Sequence, residues 1–355
     1  METANWTTAA TNPQHDVSSV FDDPIHINII SILYMIIAAV GMLGNILVAV
    51  AVSLSQKLHT VTNVFVVGLS MFDFFTCFAL PFQAVAVRAT EGWPLPMGIC
   101  SMVAGMAVVT QSGSVLTLAM ISINRYLLIT KPKEIYQQIY TPVRTGIMVA
   151  FTFLFPLTMI VGPGINSLGY STKYKVCLWD TNRRSAMVLQ SIAAVAFFTS
   201  TLIIICCYTA IYRFIRRHLK DMHTRFQNGH PNANHHANHA LQPPLPPTPF
   251  LFTGLNKRQL EITKNLGCVM LVFFACVLPY SCILLYPTNQ VAGIYIAMLF
   301  LLPSTINPIL YAAKHPHFRV VFRCMLHCQY SAIPKPSRCL KKLARQSSAR
   351  SDIIT

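Results

Sequence analysis

The stretch from Cys100 to Tyr126, CSMVAGMAVVTQSGSVLTLAMISINRY, decides how the chain folds. It carries no ionisable side chain in the 24 residues that follow the cysteine, and it then reaches Arg125. A helix of this length extends about 37 Å, which exceeds the roughly 30 Å hydrocarbon core of a bilayer. The stretch therefore predicts a membrane-spanning helix with a thiol at one end and a permanent positive charge at the other.

The composition places the whole chain in a membrane. Only 11% of its 355 residues are charged and 54% are hydrophobic, whereas a soluble domain carries roughly 25% charged residues. Seven nearly uncharged runs are long enough to cross a bilayer as helices. They cover residues 28–52, 62–87, 98–123, 145–165, 185–212, 265–286 and 290–313. We therefore expect an all-α membrane protein with a bundle of seven transmembrane helices over residues 28–313.

The distribution of positive charge predicts the orientation of the bundle. With the N-terminus outside, only five of the 27 Lys and Arg residues fall in extracellular loops, as the positive-inside rule requires. The net charge of +16 then reflects topology and attraction to anionic membrane lipids, and not nucleic-acid binding. We expect a multi-pass protein of the plasma membrane. Its extracellular tail, residues 1–27, contains a glycosylation sequon at Asn5.

Polar residues and prolines inside the predicted spans indicate packing and functional sites. Asn45 in the first span needs partners on neighbouring helices, because hydrocarbon offers none. Asp73 in the second span is the only acid in the middle of a predicted helix, which makes it a functional candidate. Pro279 and Pro308 each remove a backbone hydrogen bond and predict hinges in the sixth and seventh spans.

The cysteines fall into two groups according to the compartment in which they are predicted to lie. Of eleven cysteines, only Cys100 and Cys177 are predicted to lie on the extracellular side. Disulfides persist in that oxidising environment, so we expect these two to pair and to hold the loop over residues 166–184 against the helix ends. The others lie in spans or face the cytosol and are expected to be reduced.

The cytoplasmic segments differ in character. Residues 218–257 contain Asn/His repeats and a Pro-rich run that cannot bury a core, so we expect a disordered third intracellular loop. Residues 314–355 are expected to form an amphipathic helix on the membrane surface and a cytoplasmic tail. Cys324 and Cys328 in this part are candidate palmitoylation sites, with unmodified thiols as the alternative. The apolar face of the helix comprises Phe318, Val321, Phe322 and Met325.

Taken in order along the chain, these features resemble the rhodopsin-like (class A) G-protein-coupled receptors. The resemblance covers nearly the whole chain, and its motifs are specific in combination. They are Gly44-Asn45, Leu69 with Asp73, Cys100 with Cys177, Asn124-Arg125-Tyr126, Tyr208, Phe273 with Pro279, Asn307-Pro308 with Tyr311, and Phe318. Within the family, the run NRYLLITKPKEIYQQIY from Asn124 is similar to melatonin-like, medium-chain fatty acid and trapped-in-endoderm/moody receptors.

The resemblance implies a mechanism. A ligand bound between the outer halves of the spans would swing the inner part of the sixth span outward and open a cavity for a G protein. Pro279 would be the pivot and Phe273 a packing wedge, while Arg125, Tyr208 and Tyr311 would rearrange around the cavity. The implied partners are a heterotrimeric G protein, expected to be of the inhibitory class, and an arrestin recruited by the phosphorylated tail.

The resemblance also implies an allosteric sodium ion and no other cofactor. Asp73, Ser114, Ser304 and Asn307 correspond to the sodium pocket of the family, whose ion favours the resting state. The predicted seventh span contains no Lys, which excludes a retinal Schiff base.

Four residues depart from the family pattern. Asn124 replaces the acid beside Arg125, and Gln259 stands where an acid of the sixth span often holds that arginine. With both restraints neutral, we predict signalling without ligand. Val277 replaces a tryptophan and Ser200 a proline, so the route from ligand contact to the sixth span is expected to differ from that of the family.

The predicted ligand pocket is mostly apolar with a few hydrogen-bonding groups, which suits a small lipophilic molecule. Ala107 stands where amine receptors carry an aspartate, so a cationic amine would lack its anchor. The pocket residues are Met106, Ala107, Val108, Gln111, Trp179, Phe197, Tyr280, Ser281 and Ala297.

Two other classes of seven-helix protein are alternatives. An intramembrane enzyme would need clustered His and Asp ligands to activate water, but the twelve histidines fall in predicted tails and loops. A transporter should show an internal repeat with matching broken helices, and the sequence shows none. We therefore expect a receptor and not an enzyme.

Overall fold

The computed structural model describes residues 23–172, 174–179, 183–228, 267, 271–283, 290–338 and 340–342. Within them, helices numbered α1 to α10 form a bundle with one small sheet at the end that we call the outer end. Asn5, Gln259 and residues 229–257 of the predicted third intracellular loop lie outside the described residues.

The long helices overlap the predicted spans. The helices are α1 Pro24–Leu54, α2 Val61–Arg88, α3 Met97–Thr130, α4 Lys133–Ile139, α5 Pro142–Met159, α6 Arg184–Asn228, α7 Leu271–Ile283, α8 Gln290–Leu301, α9 Pro303–Lys314 and α10 Pro316–Leu326. Among the described residues, six stretches are long and apolar enough to cross a membrane, with α8 and α9 counted as one, and α7 is a shorter apolar helix at the predicted sixth span.

Several boundaries differ from the sequence prediction: α3 continues seven residues beyond residue 123, to Thr130, and α5 ends at Met159, six residues before residue 165. The first helix begins at Pro24, inside the predicted tail, because Asp23 caps it by accepting a hydrogen bond from the Ile25 amide at 2.8 Å. The helix α6 continues to Asn228, so the first eleven residues of the predicted disordered loop are helical. The amphipathic helix α10 forms where predicted.

The outward faces of the helices are apolar and the inward faces carry the polar groups. Leu43 is 66% exposed, Val143 72% and Leu202 60%, whereas Asn45 and Asp73 are buried. Such a surface would be unstable in water but suits lipid, in which polar side chains turn towards neighbouring helices. The central helix α3 packs against α2, α5, α6 and both strands.

A two-stranded antiparallel sheet covers the outer end of α3. Its strands are β1 Leu168–Ser171 and β2 Val176–Trp179, paired so that Tyr170 lies opposite Cys177. Both strands contact α3, and β2 also contacts α2. The hairpin therefore closes the bundle at this end.

At the inner end, the chain after α10 folds back onto the turn between α1 and α2. The Ser55 hydroxyl donates to the Pro334 carbonyl at 2.7 Å, and the Gln56 amide donates to the Lys335 carbonyl at 2.9 Å. Ile333 is buried beside these bonds. The first part of the predicted tail is thus fastened to the bundle.

Candidate functional site

The predicted disulfide between Cys100 and Cys177 is formed and is fully buried. It joins the outer part of α3 to β2, with a Cα–Cα distance of 5.2 Å. This bond holds the hairpin over the space between the helices, which confirms the sequence prediction.

A second attachment of β2 had no signal in the sequence. The Gln83 side chain of α2 donates from Nε2 to the Cys177 carbonyl at 2.8 Å, and its Oε1 accepts from the Cys177 amide at 2.9 Å. The carboxamide thus pairs with Cys177 as a neighbouring strand would. We call this two-bond contact the Gln83 clamp. It holds β2 to α2 while the disulfide holds it to α3.

Under the hairpin lies a cavity of about 130 Å³. Seven of the nine predicted pocket residues line it, from α3, β2, α6, α7 and α8. They are Ala107, Val108, Gln111, Trp179, Phe197, Tyr280 and Ala297. The structure therefore brings together side chains that are distant in sequence around one mostly apolar space.

Two predicted pocket residues lie elsewhere. Met106 lines a groove on the lipid-facing side of α2, α3 and α5. Successive residues of a helix are rotated by about 100°, so Ala107 points into the bundle and its neighbour Met106 points outward. Ser281 is buried, and its hydroxyl donates to the Val277 carbonyl of its own helix at 3.0 Å. Its polar group is therefore engaged within its own helix, and Ser281 does not line the cavity.

Other lining residues were missed by the sequence interpretation, because nothing in their local patterns distinguishes them from packing residues. They include Tyr34, Thr76, Gln83, Val176, Gln190 and Phe300. Among the described residues that line the cavity there is no Asp, Glu, Lys, Arg or His.

A polar cluster surrounds Asp73 deeper in the bundle. Ser114 and Ser304 donate from their hydroxyls to Oδ1 at 3.1 and 3.0 Å, and Asn307 donates from Nδ2 to Oδ2 at 2.9 Å. The four predicted residues of the sodium pocket thus meet in one buried cluster. Nearby, Asn45 donates to the Ser304 carbonyl at 2.8 Å and so links α1 to α9.

At the inner end, Asn124 is held by its neighbours in a neutral network. Its Oδ1 accepts from the Thr62 hydroxyl at 2.6 Å, and its Nδ2 donates to the Tyr136 hydroxyl of α4 at 3.0 Å. Burial raises the pKa of the Tyr136 phenol, opposed by the Asn124 hydrogen bond and by the Arg125 charge. The phenol is therefore uncharged at neutral pH and serves as a hydrogen-bonding group.

Arg125 lies next to this network with only 4% of its surface exposed. Its guanidinium lies near the phenols of Tyr208, Tyr136 and Tyr311. The hydroxyls of Tyr208 and Tyr311 are buried and have no hydrogen-bond partner among the described residues. The structure thus brings together the arginine and the two tyrosines that the sequence proposed as one unit.

Tyr126 points elsewhere, to a groove between α3 and α6 that Lys131 and Arg213 also line. Phe273 of α7 is buried in the inner core, and Pro279 lies within the same helix. Pro308 of α9 is buried against α1. A Cβ added to Gly44 would approach its ring to 2.8 Å.

The two candidate palmitoylation sites have different environments. Phe318, Val321, Phe322 and Met325 are buried, and Cys324 is buried with them at 8% exposure. Cys328 follows the helix and is exposed. Only Cys328 is therefore available to an acyl chain in this arrangement, because Cys324 faces the protein.

Comparison with known proteins places this geometry in context. Residues 44–311 match the family model described as 7 transmembrane receptor (rhodopsin family). The chain is 29% identical to octopamine receptor beta-2R of Chilo suppressalis, covering 89% of this chain and 85% of the relative. It is 26% identical to the histamine H2 receptor of Rattus norvegicus, covering 85% and 80%.

The fold is also similar to a solved structure. The crystal structure of squid rhodopsin aligns with a TM-score of 0.66 at 20% identity, over 86% of each chain. These relatives do not support the similarity to melatonin-like, fatty acid and trapped-in-endoderm/moody receptors suggested by the run from Asn124, since the two named above are receptors for octopamine and histamine.

Proposed function

Because the chain belongs to the rhodopsin family of seven-transmembrane receptors, we propose that it turns binding of a small extracellular ligand into G-protein activation by outward movement of α7. As a member of this family it is a multi-pass membrane receptor and not an enzyme. The proposed topology places the N-terminus outside. The distribution of positive charge supports this topology, because basic residues are exposed at the inner end. They are Lys131, Arg213, Arg216 and Arg217.

The observation that carries the proposal is the buried arrangement around Arg125. Two buried phenol hydroxyls beside it, on Tyr208 and Tyr311, lack hydrogen-bond partners among the described residues. Each such group destabilises a structure by about 1–3 kcal/mol. A second arrangement of the helices, in which the two hydroxyls and the guanidinium make other contacts, would relieve this cost, as in a two-state receptor.

The hinge of the proposed movement is Pro279. Its ring removes one backbone hydrogen bond from α7, and Phe273 lies between this hinge and the inner end, buried at 4% exposure. Tilting the inner half of α7 would withdraw Phe273 from the core and uncover Arg125.

The proposal includes signalling without ligand. Asn124 is engaged by Thr62 and Tyr136 through neutral hydrogen bonds, so it provides no negative charge to restrain Arg125. Replacing Asn124 by Asp would restore that charge and is expected to lower basal activity.

The proposed ligand is small and uncharged. The relatives named above are receptors for octopamine and histamine, which are amines, and an amine is the competing proposal. Against it, the described cavity lining contains no acidic side chain, and a buried cation without a partner is strongly unfavourable. Ala107→Asp, which adds a carboxylate, is therefore expected to create amine sensitivity that the natural chain lacks.

A sodium ion fits the Asp73 cluster. The carboxylate and the hydroxyls of Ser114 and Ser304 supply oxygen ligands of the type that hard cations prefer. We propose that these residues would hold the ion, whose positive charge would stabilise the resting arrangement. Asp73→Asn is then expected to abolish any dependence of basal activity on sodium, tested against potassium at equal ionic strength.

The decisive experiment measures nucleotide exchange on purified G proteins by the receptor in lipid nanodiscs, without ligand. We expect measurable exchange for the natural chain, less for Asn124→Asp and none for Arg125→Leu. Exchange that equals that of empty nanodiscs, or that survives Arg125→Leu, would refute the proposal. A panel of G-protein subtypes tests the inhibitory class, and an arrestin-recruitment assay tests the proposed role of the tail.

A further inference from the structure

The ligand cavity contains a hydrogen-bond donor that the protein leaves unused. The Nε2 atom of Gln111 is buried and has no hydrogen-bond partner among the described residues. Gln111 lines the cavity from α3, one helical turn further into the membrane than Ala107. A buried amide N–H without an acceptor is unfavourable. A ligand oxygen that accepts a hydrogen bond at this point would therefore increase the affinity of the ligand.

Two other polar side chains of the cavity, Gln83 and Thr76, already have hydrogen-bond partners. Both amide atoms of Gln83 bond to Cys177, and the Thr76 hydroxyl donates to Thr110 at 2.8 Å. These two side chains form part of the cavity wall, and their hydrogen-bonding groups are used within the protein. Among the described lining residues, Gln111 is the one with a buried side-chain polar atom that lacks a hydrogen-bond partner, so its amide is the candidate for selecting ligand chemistry.

Part of the cavity wall is aromatic, formed by Tyr280, Phe300 and Phe197. The rings of Tyr280 and Phe300 are stacked, with centroids 4.3 Å apart and an angle of 16°. Phe197 packs against Phe300 at 5.7 Å. The cavity volume of about 130 Å³ is close to the roughly 150 Å³ of an apolar cavity that admits benzene. The space thus suits one small planar ring system.

We infer that the cavity binds a compact, uncharged aromatic molecule whose carbonyl oxygen accepts a hydrogen bond from Gln111 Nε2. This inference rests on the proposed function, since it specifies the ligand class of the same receptor. Because the described lining residues include no charged side chain, we limit this class to molecules without a charged head group.

Three indoles of similar size test the inference on purified receptor. Indole-3-acetamide carries a carbonyl acceptor, 3-ethylindole carries none, and tryptamine carries a cationic amine. Affinities are measured by ligand-observed NMR without G protein. The acetamide is expected to bind about fivefold to tenfold more tightly than 3-ethylindole, as one neutral hydrogen bond provides, and tryptamine is expected to bind most weakly.

Two substitutions of equal chemistry identify the donor. Gln111→Met should remove the preference for the acetamide over 3-ethylindole. Gln190→Met makes the same change at another residue that lines the cavity. The Gln190 amide is not among the buried groups without a hydrogen-bond partner, so this variant should retain the preference. If Gln111→Met does not fold, Gln111→Asn withdraws the amide by one methylene and should reduce the preference in the same way.

The inference is overturned if tryptamine binds best, if the preference survives at Gln111→Met or Gln111→Asn, or if none of the probes binds at millimolar concentration. Basal nucleotide exchange is measured on the same preparation. Exchange without the acetamide preference refutes the ligand class alone. If the receptor prefers the acetamide but shows no nucleotide exchange in the absence or presence of the probes, the proposed function is refuted and the ligand class is retained.

Discussion

Breaking the Gln83 clamp should destabilise the receptor measurably. Gln83→Met keeps the length of the side chain but removes the donor and the acceptor that bond to Cys177. The Cys177 amide and carbonyl would then be buried without partners. Each such loss is worth about 1–3 kcal/mol. With partial compensation by water, we expect a total destabilisation of about 2–4 kcal/mol.

The effect should appear as a lower melting temperature and a looser hairpin. At roughly 2 °C for each kcal/mol, which is the lower end of the range for domains of 150–250 residues and suits this longer chain, the melting temperature should fall by about 4–8 °C. Hydrogen exchange at residues 174–179 should accelerate even though the Cys100–Cys177 disulfide remains intact. Fluorescence melting in detergent and exchange mass spectrometry provide the two measurements.

Two controls separate the clamp from general effects of substitution in the cavity. Gln190→Met changes another glutamine that lines the same space and should lower the melting temperature by much less. Gln83→Glu keeps an acceptor for the Cys177 amide but repels its carbonyl, so it should also be destabilising. A melting temperature for Gln83→Met within about 1 °C of the natural chain, with unchanged exchange of β2, would refute the reasoning.

Two further predictions concern packing and modification. A Cβ at Gly113 would overlap the ring of Phe72, so Gly113→Ala should destabilise the receptor by about 1–3 kcal/mol; Gly146→Ala, where the added carbon meets nothing, should be neutral in the same melting assay, and equal behaviour of the two would contradict the packing. In acyl-exchange labelling, Cys328→Ser should reduce palmitate incorporation and Cys324→Ser should leave it unchanged, because of these two cysteines only Cys328 is exposed; the reverse pattern would show that α10 docks differently.

Several features of this receptor follow from the sequence because they depend on local chemistry. The energy of placing charge in hydrocarbon determines where the spans begin and end, and the redox compartment determines which cysteines pair. The need of Asp73 for polar neighbours was predictable for the same reason, whereas its partners Ser114, Ser304 and Asn307 were indicated by the resemblance to receptors of this family. The resemblance to a known family added the grouping of Arg125 with Tyr208 and Tyr311.

The tertiary structure decided which face of each helix meets which neighbour. Met106 and Ala107 are adjacent, yet one faces lipid and the other the cavity, because about 100° of helix rotation separates them. Cys324 is buried by the docking of α10. The pairing of Gln83 with Cys177 joins residues 94 positions apart. Such contacts depend on how whole helices are rotated and spaced, and no local pattern in the chain encodes that.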